Sequence, residues 1–307
     1  MGAWYAGARG LVSTAGGGFD LMTEGLSLAG ITETPIVIHL GQRPGPATGL
    51  PTRTEQGDLN IALYSGHGEF PKIILTPGNL EDAFYLTQKA FNLADKYQVP
   101  VFVLTDQFLV DSYYNIKPFD LSNVQNQHFF KETGMEYKRY QMTENGISPR
   151  GIPQFGEGLI CVDSDEHDES GHITESQAVR MSMNNKRLSK IDMIKGEVFP
   201  PELIGSRDYK TLLIGWGSTY LIIKEAIERL GRDDLGFLYF KLVYPLHDSI
   251  VDYIKKAEKT IIIENNATSQ FGKLIARETG LVIKDAILKY DGLPFSVEEI
   301  MQRVSNG

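Results

Sequence analysis

KIILTPGNLEDAFYLTQKAFNLADKYQVPVFVLT, residues 72–105, decides the fold. Its two ends, KIILT (72–76) and VPVFVLT (99–105), are short runs rich in β-branched residues, with the length of buried strands. Between them Leu80, Ala83, Phe84, Leu86, Ala90, Phe91, Leu93, Ala94 and Tyr97 fall on one helical face, and Asn79 follows Pro77-Gly78 as an N-cap. The aromatic residues of this helix are read as core. A strand, a helix and a second strand imply a right-handed crossover and a parallel pair.

The same rhythm extends outward. PIVIHL (35–40) reads as a strand, and so do TLLIGW (211–216), GFLYFKLV (236–243), KTIIIE (259–264) and LVIKDAIL (281–288), with helices expected over 219–230, 249–257 and 268–279. Residues 112–207 break the pattern with Pro118, Pro149, Pro153, Pro200 and Pro201 and the polar run 163–172, leaving one helix near 175–190. The expected fold class is α/β with parallel sheets. Its domains are residues 1–125, an irregular connecting segment over 126–207, and a second α/β unit over 208–307.

At 307 residues the chain can bury two cores, which excludes a small stapled scaffold. Apolar residues make up 42%, and no stretch has the apolar length of a membrane span. The net charge of −9 is the wrong sign for a chain whose main partner is nucleic acid, and suits a cytoplasmic protein that handles small acidic ligands at local basic sites. One cysteine, Cys161, excludes a disulfide framework and any four-cysteine cluster made by this chain alone. The N-terminus lacks the charged and apolar regions of a signal peptide, and opens so abruptly on the turn Thr14-Ala-Gly-Gly-Gly-Phe19 that residues upstream of Met1 are expected.

The densest chemical candidate is the loop from Gly41 to Asp58, at the carboxyl end of strand 35–40, where ligands of open α/β sheets bind. It carries Arg43 and Arg53 on a backbone stiffened by Pro44, Pro46 and Pro51. Guanidinium forks on such a loop suit a carboxylate or phosphate. The alternative is an exposed turn whose arginines pair with Glu55 and Asp58. His67, between two glycines and near Glu69, is either a proton donor near neutral pH or a surface histidine. His167 and His172 are five apart across a glycine and do not share a helix face, so a hydrogen-bonded loop is preferred there to a metal site. Gly215-Trp-Gly-Ser-Thr219 is only part of a dinucleotide fingerprint, and Asn265 and Asn266 are read as N-caps of the helix that follows them.

Together AWYAGAR (3–9), TAGGGFDLMTEGL (14–26), QRPGPATGLPTRTEQGDL (42–59), YSGHGEFPKIIL (64–75), NGISPRGIP (145–153), SDEHDESGHIT (164–174), GWGST (215–219) and IENNATSQF (263–271) give a resemblance across essentially the whole chain. It resembles alpha subunits of 2-oxoacid:ferredoxin oxidoreductases, most closely the 2-oxoglutarate type. The resemblance implies a thiamine-diphosphate pyrimidine-binding-like domain, incomplete at its N-terminus, followed by a transketolase C-terminal-like domain. It implies a cytoplasmic enzyme that converts a 2-oxoacid and coenzyme A to acyl-CoA and CO₂ and passes electrons to ferredoxin. The cofactor is thiamine diphosphate; Mg²⁺ and a [4Fe–4S] cluster are expected on a partner beta subunit in a heterodimer.

By the same resemblance Arg43 receives the 2-oxoacid carboxylate, Thr48, Thr52 and His67 contact the substrate, and Thr14, Gly16 and Gly18 contact the cofactor. No metal ligand and no catalytic residue is assigned to this chain. The family's cofactor-activating glutamate and its Tyr-Pro-Ile-Thr-Pro loop lie upstream of the matching segment, before Met1, and Glu24 does not match that glutamate. The family's Thr-Ser-Gly-Pro-Gly is Thr14-Ala15-Gly16-Gly17-Gly18 here, without one hydroxyl and the proline. The rival expectation is a noncatalytic scaffold or regulatory subunit that keeps the substrate loop.

Overall fold

The computed structural model describes residues 1–122 and 124–306. Its strands are β1 (Leu11–Ala15), β2 (Ile36–Gln42), β3 (Ile73–Leu75), β4 (Pro100–Asp106), β5 (Glu202–Gly205), β6 (Thr211–Trp216), β7 (Leu235–Phe240), β8 (Leu242–Tyr244), β9 (Lys259–Glu264) and β10 (Asp285–Leu288). Its helices are α1 (Gly2–Tyr5), α2 (Gly16–Asp20), α3 (Thr23–Ile31), α4 (Leu59–Tyr64), α5 (Leu80–Tyr97), α6 (Gln107–Val110), α7 (Gln177–Lys195), α8 (Thr219–Leu230), α9 (Ile250–Lys256), α10 (Gln270–Thr279) and α11 (Val297–Asn306). Among the described residues no helix is long and apolar enough to cross a membrane.

The crossover read from residues 72–105 is present as β3–α5–β4, with Ile73 opposite Val101 and Leu75 opposite Val103. Asn79 caps α5, its side chain accepting from the Asp82 amide at 2.6 Å. Leu86, Ala90, Leu93, Ala94 and Tyr97 of α5 are buried with Val37, Val101 and Val103 of the sheet. The strands form two sheets, ordered β1-β2-β4-β3-β8 and β10-β9-β6-β7-β5. In each, four strands run parallel and a fifth lies antiparallel at an edge: β8 on β3, and β5 on β7. Strands covered on both faces need apolar residues throughout, which is why the sequence shows runs rather than alternation.

The sheets share one core, in which Phe19, Ile38, Leu40, Phe102 and Leu104 meet Leu212, Ile214, Trp216, Leu238 and Phe271. Asp106 at the end of β4 accepts a hydrogen bond from Ser218 just past β6. The carboxyl ends of β4 and β6 therefore meet, and in open α/β folds ligands bind at strand carboxyl ends.

Three expectations are corrected. The run 236–243 is not one strand: β7 ends at Phe240 and β8 begins at Leu242 in the other sheet. Lys241 makes the crossing, its carbonyl accepting from the Thr76 amide at 2.8 Å and its ammonium pairing with Asp82 and Glu202 at 3.1 and 3.3 Å. Within 281–288 only Asp285–Leu288 is strand. The helix expected near 175–190 continues to Lys195.

The long excursion is tied down by buried charges. Glu33 is fully enclosed, with the Lys186 and Lys190 ammonium groups 2.6 and 2.5 Å from its carboxylate and Arg139 Nη2 donating to its carbonyl at 2.7 Å. Against the upward push of burial, Lys190, Lys186 and Arg139 hold the Glu33 carboxyl well below the usual range. Asp95 of α5 likewise pairs with Arg150 and, at 3.1 Å, with Arg9.

Candidate functional site

The loop between β2 and α4 is fastened at its two ends and open at its tip. Gln42, buried at the end of β2, donates to the Thr105 carbonyl at 3.1 Å and accepts from the Asp58 amide at 3.0 Å, closing the base. In the tip the Leu50 amide donates to the Pro44 carbonyl at 3.1 Å. Gly49 has φ +50°, and a Cβ there would collide with that same carbonyl, so the turn needs glycine. Thr48, Thr52 and Arg53 are exposed and Arg43 is half-buried.

Arg43 forms no hydrogen bond or ion pair among the described residues, and its Nε is enclosed without a partner. The alternative in which the loop's arginines pair with Glu55 and Asp58 is not realised. Asp58 does lie in the field of Arg43, which lowers its pKa. Burial and repulsion from Glu55 and Asp20 outweigh this and push the carboxyl up to about 6. One Asp58 oxygen, Oδ2, is enclosed without a hydrogen-bond partner. A guanidinium without a partner beside a reluctant carboxylate is equipped to take an external anion.

The glycine turn lies under this loop. A Cβ at Gly16 would meet Asp58 Oδ2 at 2.7 Å, and one at Gly18 would collide with the Thr14 hydroxyl. These glycines therefore answer to contacts within the chain, and the Thr14 hydroxyl donates to the Ala15 carbonyl at 3.3 Å. At Gly17 a Cβ would meet only the Ala47 carbonyl, at 3.7 Å, so this face of the turn is open. An open backbone face beside the unpaired Asp58 oxygen fits part of a polar heterocycle. Among the described residues no group of three His, Cys, Asp or Glu is arranged to hold a metal ion.

Next to the turn, a polar row that sequence reasoning missed crosses three strands. His39 Nδ1 lies 2.7 Å from Ser13 Oγ and its Nε2 lies 2.8 Å from Thr105 Oγ1, while burial pulls its pKa down. A histidine inside an apolar strand pattern was the available signal.

His67 lies elsewhere. It lines a cleft of about 810 Å³ with Ser27, Phe70, Asn184 and Arg187, and no residue of the 42–58 loop lines that cleft. The polar run 163–172 is a hydrogen-bonded loop. Glu166 is held down to about 2, against burial, by Arg187 and Arg180, while buried His167 donates from Nδ1 to the Asp165 carbonyl at 2.9 Å and packs on Tyr140.

Asn265 and Asn266 do not cap α10. Glu264 does, its carboxylate accepting from the Phe271 and Gly272 amides at 3.0 Å each. The two asparagines instead hold the far end of the arginine loop, at Gln56, which is completely buried.

Two mostly parallel sheets meeting at strand carboxyl ends are the fold of transketolase as well. Transketolase from Campylobacter jejuni superposes with a TM-score of 0.50 at 9% identity, over 97% of this chain and 35% of its own. The sequence profile described as pyruvate flavodoxin/ferredoxin oxidoreductase, thiamine diphosphate-binding, matches residues 1–186, and the chain belongs to that family, among the alpha subunits of 2-oxoacid:ferredoxin oxidoreductases. The alpha subunit of 2-oxoacid:ferredoxin oxidoreductase 1 from Sulfurisphaera tokodaii is 36% identical over 98% of this chain and 49% of its own length. The structure of 2-oxoglutarate:ferredoxin oxidoreductase from Magnetococcus marinus, with 2-oxoglutarate, coenzyme A and succinyl-CoA bound, matches with a TM-score of 0.94 at 34% identity, over all of this chain and 54% of that one. The chain spans about half the length of the 2-oxoacid:ferredoxin oxidoreductase alpha subunits it matches, and 71–82% of three 2-oxoglutarate synthase KorA subunits.

Proposed function

We propose that this chain supplies the carboxylate-receiving arm of a cytoplasmic 2-oxoglutarate:ferredoxin oxidoreductase. The assembly converts 2-oxoglutarate and coenzyme A to succinyl-CoA and CO₂, releasing two electrons to ferredoxin and a proton. The observation that carries this reading is the Arg43 guanidinium, unpaired at a strand carboxyl end on a loop fastened at both sides. Arg43 takes the substrate carboxylate in a forked hydrogen bond, and the exposed Thr48 and Thr52 hydroxyls flank it on the same loop. Thiamine diphosphate, when bound, supplies a carbon nucleophile and an electron sink. The open face of Gly17 and the free Asp58 oxygen would receive its aminopyrimidine, with Thr14, Gly16 and Gly18 shaping the turn. Mg²⁺ and the [4Fe–4S] cluster belong to a beta subunit in this reading. Residues 1–125 and 208–307 are its two domains, with 126–207 as the connection. His67 serves the substrate less directly than Arg43, from its separate cleft.

The test is Arg43→Lys in the complete enzyme, followed by dye reduction dependent on 2-oxoglutarate and coenzyme A. An ammonium keeps the charge but not the planar fork, and kcat/KM should fall by about 10- to 100-fold, the equivalent of roughly 1.5–3 kcal/mol. Unchanged kcat/KM would sink the carboxylate-receiving role.

A further inference from the structure

Gln56 has every polar group of its amide side chain and peptide engaged with the second sheet. Its Nε2 donates to the Trp216 carbonyl at 2.8 Å, and its Oε1 accepts from the Asn265 amide at 2.9 Å. Its own amide donates to the Asn265 carbonyl at 2.7 Å, and its carbonyl accepts from Asn266 Nδ2 at 3.1 Å. The next residues are gripped as well. Gln270 donates to the Gly57 carbonyl at 2.7 Å and accepts from the Asn60 amide at 2.9 Å, and the Thr54 amide donates to the Gly292 carbonyl at 3.1 Å. Gly217, at φ +57°, leaves room for the Gln56 amide, which would lie 3.1 Å from a Cβ there.

The partners are themselves fixed. Glu264, fully buried, accepts from Asn266 Nδ2 at 2.7 Å and from Ser269 at 3.0 Å in addition to the α10 amides. From Gln56 the chain runs through Gly57 to Asp58, whose amide bonds to Gln42, the residue before Arg43. Hydrogen bonds at Gln56 and at Asp58, linked by the peptide chain through Gly57, thus join the carboxyl ends of β6 and β9 to the base of the arginine loop, while residues 45–53 stay exposed.

We infer that Gln56 is a positioning residue, through which the second sheet sets the pose in which Arg43 meets its anion. The inference rests on the substrate reading above and names what regulates that site. A pose held equally in bound substrate and in the transition state affects substrate affinity and leaves turnover at saturation nearly alone.

The test uses the complete enzyme with Gln56→Met, similar in size but without hydrogen bonds, and with Gln270→Ala, which loosens the same segment from a less buried position. Two readouts are taken on each. Trypsin does not cut Arg43-Pro44, so cleavage at Arg53-Thr54 reports the loop without any substrate. The KM for 2-oxoglutarate, set against kcat, reports the pose. Both variants should be cut at least about fivefold faster at Arg53-Thr54 and show KM raised by about tenfold with kcat within about twofold. Unaltered cleavage would overturn the clamp. Faster cleavage with unchanged KM, or kcat falling as far as KM rises, would reduce Gln56 to a fastening and overturn the positioning role. Failure of the substrate reading looks different: Arg43→Ala would then leave the KM for 2-oxoglutarate unchanged, while the proteolysis result stands.

Discussion

The carboxyl of Asp58 fills the space that a Cβ on Gly16 would need, with Oδ2 2.7 Å and Oδ1 2.9 Å from that position. Two segments 42 residues apart are therefore matched in shape: the glycine turn after β1 accepts the end of the arginine loop.

Gly16→Ala should push the Asp58 side chain out of its place and destabilise the protein by about 1–2 kcal/mol, in the range of overpacking substitutions. In an Asp58→Ala background the same change should cost much less. Urea unfolding of the double-mutant cycle measures the coupling, and strictly additive costs would contradict the contact. Gly17→Ala, whose new methyl meets only a carbonyl at 3.7 Å, is the matched control.

Asp58 also makes stability depend on pH in a particular direction. Its folded pKa of about 6 lies above the ordinary 3.8, so the folded state holds more protons between those values. Stability gained from this group is full below about 3.8 and is lost as pH rises through about 6. The size is on the order of 3 kcal/mol. Asp58→Asn should remove this component and be the more stable protein at pH 7; an identical pH profile in parent and variant would exclude the assignment.

Glu33→Gln leaves Lys186, Lys190 and Arg139 buried with no counter-charge at their centre. Breaking a buried ion cluster on one side costs about 3–5 kcal/mol. Hydrogen exchange should show protection lost first in α7 and around Arg139, ahead of α5 and the sheets. Uniform loss would mean that the cluster does not fasten the long excursion.

Asn79→Ala removes the side-chain acceptor for the Asp82 amide and should cost about 1 kcal/mol. Asn79→Ser, which keeps a capping oxygen, should recover most of that loss in thermal unfolding.

The parts legible in the sequence are those with local periodicity. Helix α5 announces itself through a buried stripe and a cap only a few residues away, and β6 and β9 match their apolar runs end to end. The crossing at Lys241 was hidden, because an unbroken apolar run does not tell which sheet each half joins. So was the role of the Glu33 cluster, whose ion pair to Lys186 spans 153 residues. At the site, Arg43 stood out because guanidinium, proline and glycine in one loop form an unusual pattern. Asn265 and Asn266 did not, since asparagines just before a helix read as caps; only the fold shows that Glu264 has taken that task, while the Asn265 backbone and the Asn266 side-chain amide bond Gln56. Helices α3, α4 and α11 also went unread.

The exchange of edge strands has a consequence for how this chain can be divided. With only Lys241 between them, β7 and β8 lie in different sheets, and β5 joins the second sheet from within the long excursion. No single cut leaves both sheets whole: one made before β8 parts β8 from the first sheet, and one made after β8 leaves β5, β6 and β7 of the second sheet on the N-terminal piece. The sheets are laced together as cloth is, by a thread that passes through both. A fragment made by tidy bisection at residue 208 carries away one border of each sheet, and would leave two frayed selvedges where the intact chain has none.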